Sequence, residues 1–287
     1  MSAAPPSTVS RGVVLMILAV FLFTTMDATA KGLIERYPAP QVIWVRFAGQ
    51  FALVLLILGP RLGPVLRTRF PVLHFWRSAS QFGATTFFFL SLPYVGLAEA
   101  TAIADLNPVL ITLGAALFLG ERLGARRLTG VIVALLGALI VIRPGAGVFT
   151  WWSLLPLCCA VSYATSALLT RKIGAQESVW ASMVYAALFG TLVAGAALPF
   201  VWQPVAPAAL WRFGLVALLG TGAQLCIIRS FSITEAAVVA PFAYLGIVFA
   251  TGWGGVLFDH WPDRWTVVGA LVIVGAGLYV WHRETRA

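Results

Sequence analysis

Residues 12–34 read GVVLMILAVFLFTTMDATAKGLI, an apolar run that admits a carboxylate only at Asp27 and an amine only at Lys31. A helix rises 1.5 Å per residue, so about 20 residues cross about 30 Å of hydrocarbon. This run is long enough. Nine more follow, near 40–58, 73–95, 98–120, 127–143, 151–171, 178–199, 209–230, 235–258 and 264–282. The residues are 60% apolar and 10% charged, with a mean hydropathy of +0.93, outside the soluble globular range. An all-α polytopic membrane protein with ten transmembrane helices follows. No break is long enough to hold a separate soluble domain, the longest running from about Gly59 to Val72.

Lys and Arg concentrate in every second break, as cytoplasmic loops do. With the N-terminus on side one, that side receives Arg11, Arg61, Arg67, Arg69, Arg77, Arg122, Arg126, Arg127, Arg171, Lys172, Arg229, Arg283 and Arg286. Side two receives Lys31, Arg36, Arg143, Arg212 and Arg264, while Arg46 sits inside the second span. Both termini are therefore expected in the cytoplasm, with the chain multi-pass in a bacterial-type inner membrane. The net charge of +9 is dispersed beside membrane ends, so it implies the bilayer as partner and no nucleic acid.

Arg11, the apolar stretch Val13–Met26 and Ala28-Thr29-Ala30 also have the form of a signal peptide. Removing them would break the repeat described next, so a retained first helix is the preferred reading. Cys158, Cys159 and Cys226 follow no metal-ligand or disulfide spacing and read as small buried apolar residues.

Residues 98–143 can be laid over 234–280 with a gap of about three residues. Ala98-Glu99-Ala100 then meets Thr234-Glu235-Ala236, Glu121 falls near Asp259, and Gly130 near Gly269. Five spans separate the copies, and an odd number reverses direction in the membrane. Two inverted five-helix repeats are expected, residues 1–145 and 146–287, an arrangement widespread in secondary transporters.

Phe23-Thr24-Thr25-Met26-Asp27-Ala28-Thr29-Ala30-Lys31 followed by Val42-Ile43-Trp44-Val45-Arg46-Phe47 resembles the opening of bacterial drug/metabolite transporter superfamily proteins of the EamA type. Ala104-Asp105-Leu106-Asn107-Pro108 running into Phe118-Leu119-Gly120-Glu121-Arg122 resembles them too. The counterpart in the second half runs from Ala240-Pro241-Phe242-Ala243-Tyr244 to Leu257-Phe258-Asp259-His260-Trp261-Pro262-Asp263. The resemblance covers the chain and is strongest to the ten-helix exporters of amino acids, aromatic ones included, and of metabolites. One departure is that the Gly-Glu closing span four becomes Phe258-Asp259 in span nine.

Charged and strongly polar groups at membrane depth usually face a bundle interior. Asp27 and Lys31, spaced i,i+4, share a helix face, and Arg46 should lie at similar depth. These three read either as a cluster joining the first two helices or as groups that handle substrate or protons. Nearer the midplane come Ser80, Gln81, Thr85 and Thr86, then Asp105 and Asn107, Ser162 and Tyr163, Thr221 and Gln224, and Tyr244. Hydroxyls and amides can bind an amine or carboxylate without charge, although interhelical bonding is a rival use. Ser80, Gln81, Thr85, Asn107, Tyr163, Gln224 and Tyr244 are the candidate substrate-binding residues. Asp27, Lys31, Arg46, Asp105, Pro108 and Pro241 are the candidates for coupling or gating, because each proline removes a helix hydrogen bond. One of Phe87, Phe88 and Phe89 is expected to face the cavity. Trp151, Trp152, Trp202, Trp211, Trp261 and Trp265 read as interfacial anchors.

No Gly-rich Lys-Ser/Thr loop for ATP is present. His74, His260 and His282 lie at span edges with no catalytic set around them, which argues against an enzyme. The expectation is a secondary transporter exporting amino acids and related small metabolites by alternating access, as a functional monomer without cofactor or metal. Vitamin or nucleoside-like uptake and cationic drug efflux are the alternatives.

Overall fold

In the computed structural model of the protein the described residues are 6–119, 125–143, 150–173, 177–234 and 239–285. Among them every regular element is helical. The first half contributes α1 (Pro6–Ile34), α2 (Ala39–Leu58), the single turn α3 (Leu62–Val65), α4 (Pro71–Ser91), α5 (Leu97–Ala104), α6 (Asn107–Leu119) and α7 (Ala125–Ile142). The second contributes α8 (Leu155–Ile173), α9 (Val179–Val201), α10 (Pro207–Ile233), α11 (Leu245–Phe258) and α12 (Arg264–Thr285). Short 3-10 turns precede α8 (Trp151–Leu154) and α11 (Ala240–Tyr244). Glu121, Glu235 and Ala236, used above to align the halves, lie outside the described residues.

Each run of the sequence becomes helical, but the apolar stretches of the fifth, ninth and tenth, Leu128–Ile142, Phe242–Phe258 and Arg264–Tyr279, are shorter than the expected spans, and two further runs need correction. The third, α4, is long enough to cross a membrane but falls outside the six described helices that are both long and apolar enough. Its His74, Arg77, Ser78, Ser80 and Gln81 lower its hydropathy. The fourth is two helices, α5 and α6, parted at Asp105–Leu106. Pro108 explains the site of the break. It has no N–H to give the carbonyl four residues back, that of Ala104, and its ring crowds it. The Asn107 side-chain amide donates to that carbonyl at 3.1 Å instead, so the freed group stays satisfied. In the ninth run Pro241 is the second residue of the 3-10 turn leading into α11.

Other helix starts follow familiar chemistry. Proline opens α4 and α10, where its missing N–H costs nothing. The Ser178 hydroxyl accepts from the Trp180 N–H to cap α9. Apolar side chains such as Leu56, Phe118, Phe200 and Val256 are exposed on the outer surface, as a chain bathed in lipid permits. Trp151, Trp152, Trp202, Trp211, Trp261 and Trp265 are exposed beside helix ends. Cys158 is exposed as well, contrary to expectation, while Cys159 is buried.

The packing has a regular form. The most extensive pairings are α1 with α10 and α4 with α8, followed by α7 with α12 and α2 with α9. A Cβ on Gly269 would lie 2.7 Å from the Gly137 carbonyl oxygen, and one on Gly137 would lie 3.0 Å from that of Gly269. Only glycines let α7 and α12 approach so closely. The main apolar core gathers Phe47, Phe88, Phe89, Leu92 and Leu97.

Candidate solute site

A cavity of about 240 Å³ lies among α1, α2, α4, α5, α6, α8, α10 and α11. Its wall takes Thr24, Met26 and Asp27 from α1, Arg46 from α2, Gln81, Thr85, Phe88 and Phe89 from α4, and Thr101 from α5. Asp105 at the helix break, Asn107 of α6, Cys159 and Tyr163 of α8, Gln224 of α10 and Gly246 of α11 complete it.

The Arg46 guanidinium is buried. It donates from Nη1 to Thr85 Oγ1 at 2.8 Å and lies 4.8 Å from the centre of the Phe47 ring. The Thr85 hydroxyl in turn donates to the Gln81 carbonyl, and the Gln81 side-chain oxygen accepts from Ser166. This chain of bonds fixes the cation on one wall. Gly220 seats the neighbouring Met26, since a Cβ there would sit 2.8 Å from Met26 Sδ. Asp27 is within electrostatic reach of Arg46, but no direct ion pair joins them among the described residues. Asp105 brings a carboxylate to the same space, and its Oδ2 is buried without a hydrogen-bond partner. The cavity thus presents a cation, two carboxylates and neutral hydrogen-bonding groups beside the rings of Phe23, Phe88, Phe89 and Tyr163.

The structure brings together Asp27, Arg46, Gln81, Thr85, Asp105, Asn107, Tyr163 and Gln224. It does not place the remaining candidates on this wall. Ser80 is one residue from Gln81, about 100° around the helix. Lys31 leaves the Asp27 face and donates to the carbonyls of Leu92, at 2.8 Å, and Val95, at 3.2 Å. Pro108 is exposed, and of Pro241 only the backbone is described. Tyr244 lines a separate, almost wholly apolar cavity of about 470 Å³ between α11 and α12. Thr221 is bonded back to the Ala217 carbonyl.

Sequence reasoning missed Thr101, Met26 and Cys159, and allowed one of the Phe triplet where Phe88 and Phe89 both reach the wall. Thr101 carried a usable signal, lying four residues before Asp105 and hence on its face.

A bundle of membrane-length helices enclosing a solute-sized polar cavity defines a small-molecule transporter. The chain belongs to the EamA-like transporter family, whose model matches residues 10–143 and again 150–281. It is 30% identical to a pseudopaline exporter of Pseudomonas aeruginosa, over 92% of this chain and 94% of that one. It is 28% identical to a riboflavin transporter of Rhizobium johnstonii, over 99% and 95%, and 27% identical to an S-adenosylmethionine uptake transporter of Rickettsia bellii, over 98% and 96%. A solved crystal structure shares the fold at a TM-score of 0.67 and 20% identity, over 96% of this chain and 98% of that one. The protein is a multi-pass membrane transporter and not an enzyme.

Proposed function

We propose that the protein exports amino acids, aromatic and neutral ones included, and related small metabolites across a bacterial inner membrane by alternating access. The observation that carries this reading is a fixed guanidinium, Arg46, facing the same small cavity as an unpartnered carboxylate oxygen on Asp105. A carboxylate and an ammonium on one solute would satisfy the two. At about 240 Å³ the space is below the roughly 300–1,000 Å³ of pockets for drug-sized ligands, which favours an amino acid over a bulky cationic drug. Phe88 and Phe89 offer apolar surface to its side chain.

Residues 1–145 and 146–287 are read as two inverted repeats gating this cavity. Matched packing supports the reading: α1 against α10 mirrors α8 against α4, and α2 against α10 mirrors α9 against α4. The double match of the family model supports it as well. The exporter among the relatives favours the outward direction. The riboflavin and S-adenosylmethionine relatives favour a second reading, uptake of a vitamin or nucleoside-like solute.

Counterflow uptake into liposomes carrying the purified protein decides between them, with radiolabelled amino acids tested beside riboflavin and a cationic dye. Saturable uptake of several amino acids, each suppressed by the others, is expected. Movement of riboflavin or the dye alone would refute the substrate assignment.

A further inference from the structure

On the face opposite the N-terminus of α1, a second cavity of about 270 Å³ lies among Glu99, Arg143, His260, Asp263, Ser153 and Trp261. We propose that it is a second solute site, taking a small zwitterion by exchange: the solute's ammonium replaces His260 on Glu99, and its carboxylate replaces Asp263 on Arg143. The solute class rests on the amino-acid reading above, but the site is separate from the central cavity.

An ion pair and a carboxylate–imidazole contact build it. Glu99 Oε1 meets His260 Nε2 at 3.3 Å, and Arg143 Nη1 meets Asp263 Oδ2 at 2.7 Å. Glu99 and Arg143 both come from the first half of the chain, while His260 and Asp263 both come from the short loop joining α11 to α12. The pairs therefore tie that loop to the other half. Their members are unequal. The side chains of Glu99 and Arg143 are 17% and 24% exposed, against 51% and 43% for His260 and Asp263. The inner members are fixed wall, and the outer members can leave. Each inner member also keeps unused capacity, because Glu99 Oε2 and Arg143 Nε are buried without a hydrogen-bond partner. Contacts whose outer members are solvent-exposed contribute only modestly to stability, so a ligand offering both charges can trade for them. Asp263 loses nothing else by leaving, since its Oδ1 still accepts from the Thr266 N–H at the start of α12.

The loop is seated closely. A Cβ on Gly96 would collide with both Glu99 and His260, and one on Gly255 would collide with Trp261. Arg143 holds a left-handed backbone, φ 48°, which a non-glycine residue adopts at a cost. Its tie to Asp263 helps to hold that conformation. A zwitterion arriving at this face would thus occupy the cavity and free the loop in one event.

Amide hydrogen exchange of the full-length protein in lipid nanodiscs tests this, read at residues 259–263, where the Asp259 and His260 N–H groups bond to the carbonyls of Gly255 and Gly254. L-Phenylalanine is expected to speed exchange there at least five-fold. 3-Phenylpropionate and 2-phenylethylamine, each carrying one of the two charges, should not. Glu99→Gln and Arg143→Gln should each reduce the response below two-fold. Gly96→Ala, which forces the first pair apart and leaves every charge in place, should speed loop exchange without any ligand. Slowed exchange over 81–89 with the loop unchanged would overturn the second site and leave the amino-acid reading standing. An equal response to the single-charge analogues would overturn the exchange mechanism, and no response anywhere would overturn both readings.

Discussion

Arg46 is an expensive residue to keep inside a membrane, and its surroundings explain how it is kept. Thr85 takes one N–H, and the Phe47 ring lies under the cation, yet Nε has no hydrogen-bond partner. A purely structural arginine would be expected to have its donors matched. Asp105 shows the same incompleteness on the other side of the space. A charge-assisted hydrogen bond to a solute is worth about 1.5–3 kcal/mol, so Arg46→Gln and Asp105→Asn should each lower initial counterflow uptake about 10- to 150-fold. Asp27→Asn should reduce it less, because Asp27 acts on Arg46 at longer range. Variants that elute as wild type on gel filtration and transport at the wild-type rate would remove these side chains from the site.

At the scale of the element, what was legible followed from local chemistry. Length and hydropathy located the helices because each one satisfies its own backbone, and polarity at membrane depth singled out Gln81 and Thr85. Long-range partners were not legible. Lys31 could be matched with Asp27 from spacing alone, but the carbonyls it binds belong to Leu92 and Val95, 61 and 64 residues away. The Glu99–His260 pair is 161 residues apart. Glycines were legible as small but not as seats. Gly190 of α9 lies so close to Phe47 of α2 that a Cβ would run into the ring. A rigid ring cannot yield as a flexible chain would, so Gly190→Ala should cost about 1–3 kcal/mol and lower the thermal unfolding midpoint in detergent. An unchanged midpoint would mean that the two helices slide apart freely. The start of α12 is a second case. The Thr266 backbone N–H, and then the Arg143 guanidinium, hold the Asp263 carboxyl below the usual carboxylate range. A depressed value stabilises the fold at pH above the unfolded one, roughly 3.9, and that stabilisation is lost as pH falls through the folded one. The cap and the Arg143 tie should therefore be intact at neutral pH and weaken below about pH 4. Asp263→Asn keeps an acceptor for Thr266 but cannot titrate, so its unfolding midpoint should fall less than that of wild type between pH 6 and pH 3. Parallel curves would show that Asp263 contributes nothing to the acid response.

For the whole molecule the open variable is which face meets the cytoplasm, and it decides what the tied loop does. Thirteen Lys and Arg lie on the side of the α1 N-terminus and five on the other. Basic residues beside the membrane favour the cytoplasmic side, so the excess predicts the α1 N-terminus inside. Single cysteines at Thr150, exposed on the side of the α11–α12 loop, and at Arg67, exposed on the N-terminal side, can be made after Cys158, Cys159 and Cys226 are replaced by alanine. On intact cells a membrane-impermeant maleimide should label T150C and spare R67C. The reverse pattern would place the ion-paired loop in the cytoplasm and turn the proposed direction of transport around. With T150C outside, the Glu99–His260 and Arg143–Asp263 pairs tie the two halves on the outer side, and Lys31 draws α1 to the segment leading into α5 on that same side. In the alternating access proposed above, the two ties between the halves part when the cavity opens outward. Export would break them from within the protein, whereas a zwitterion binding at the outer cavity would break the same two contacts from outside, so an external amino acid should speed release of a preloaded one.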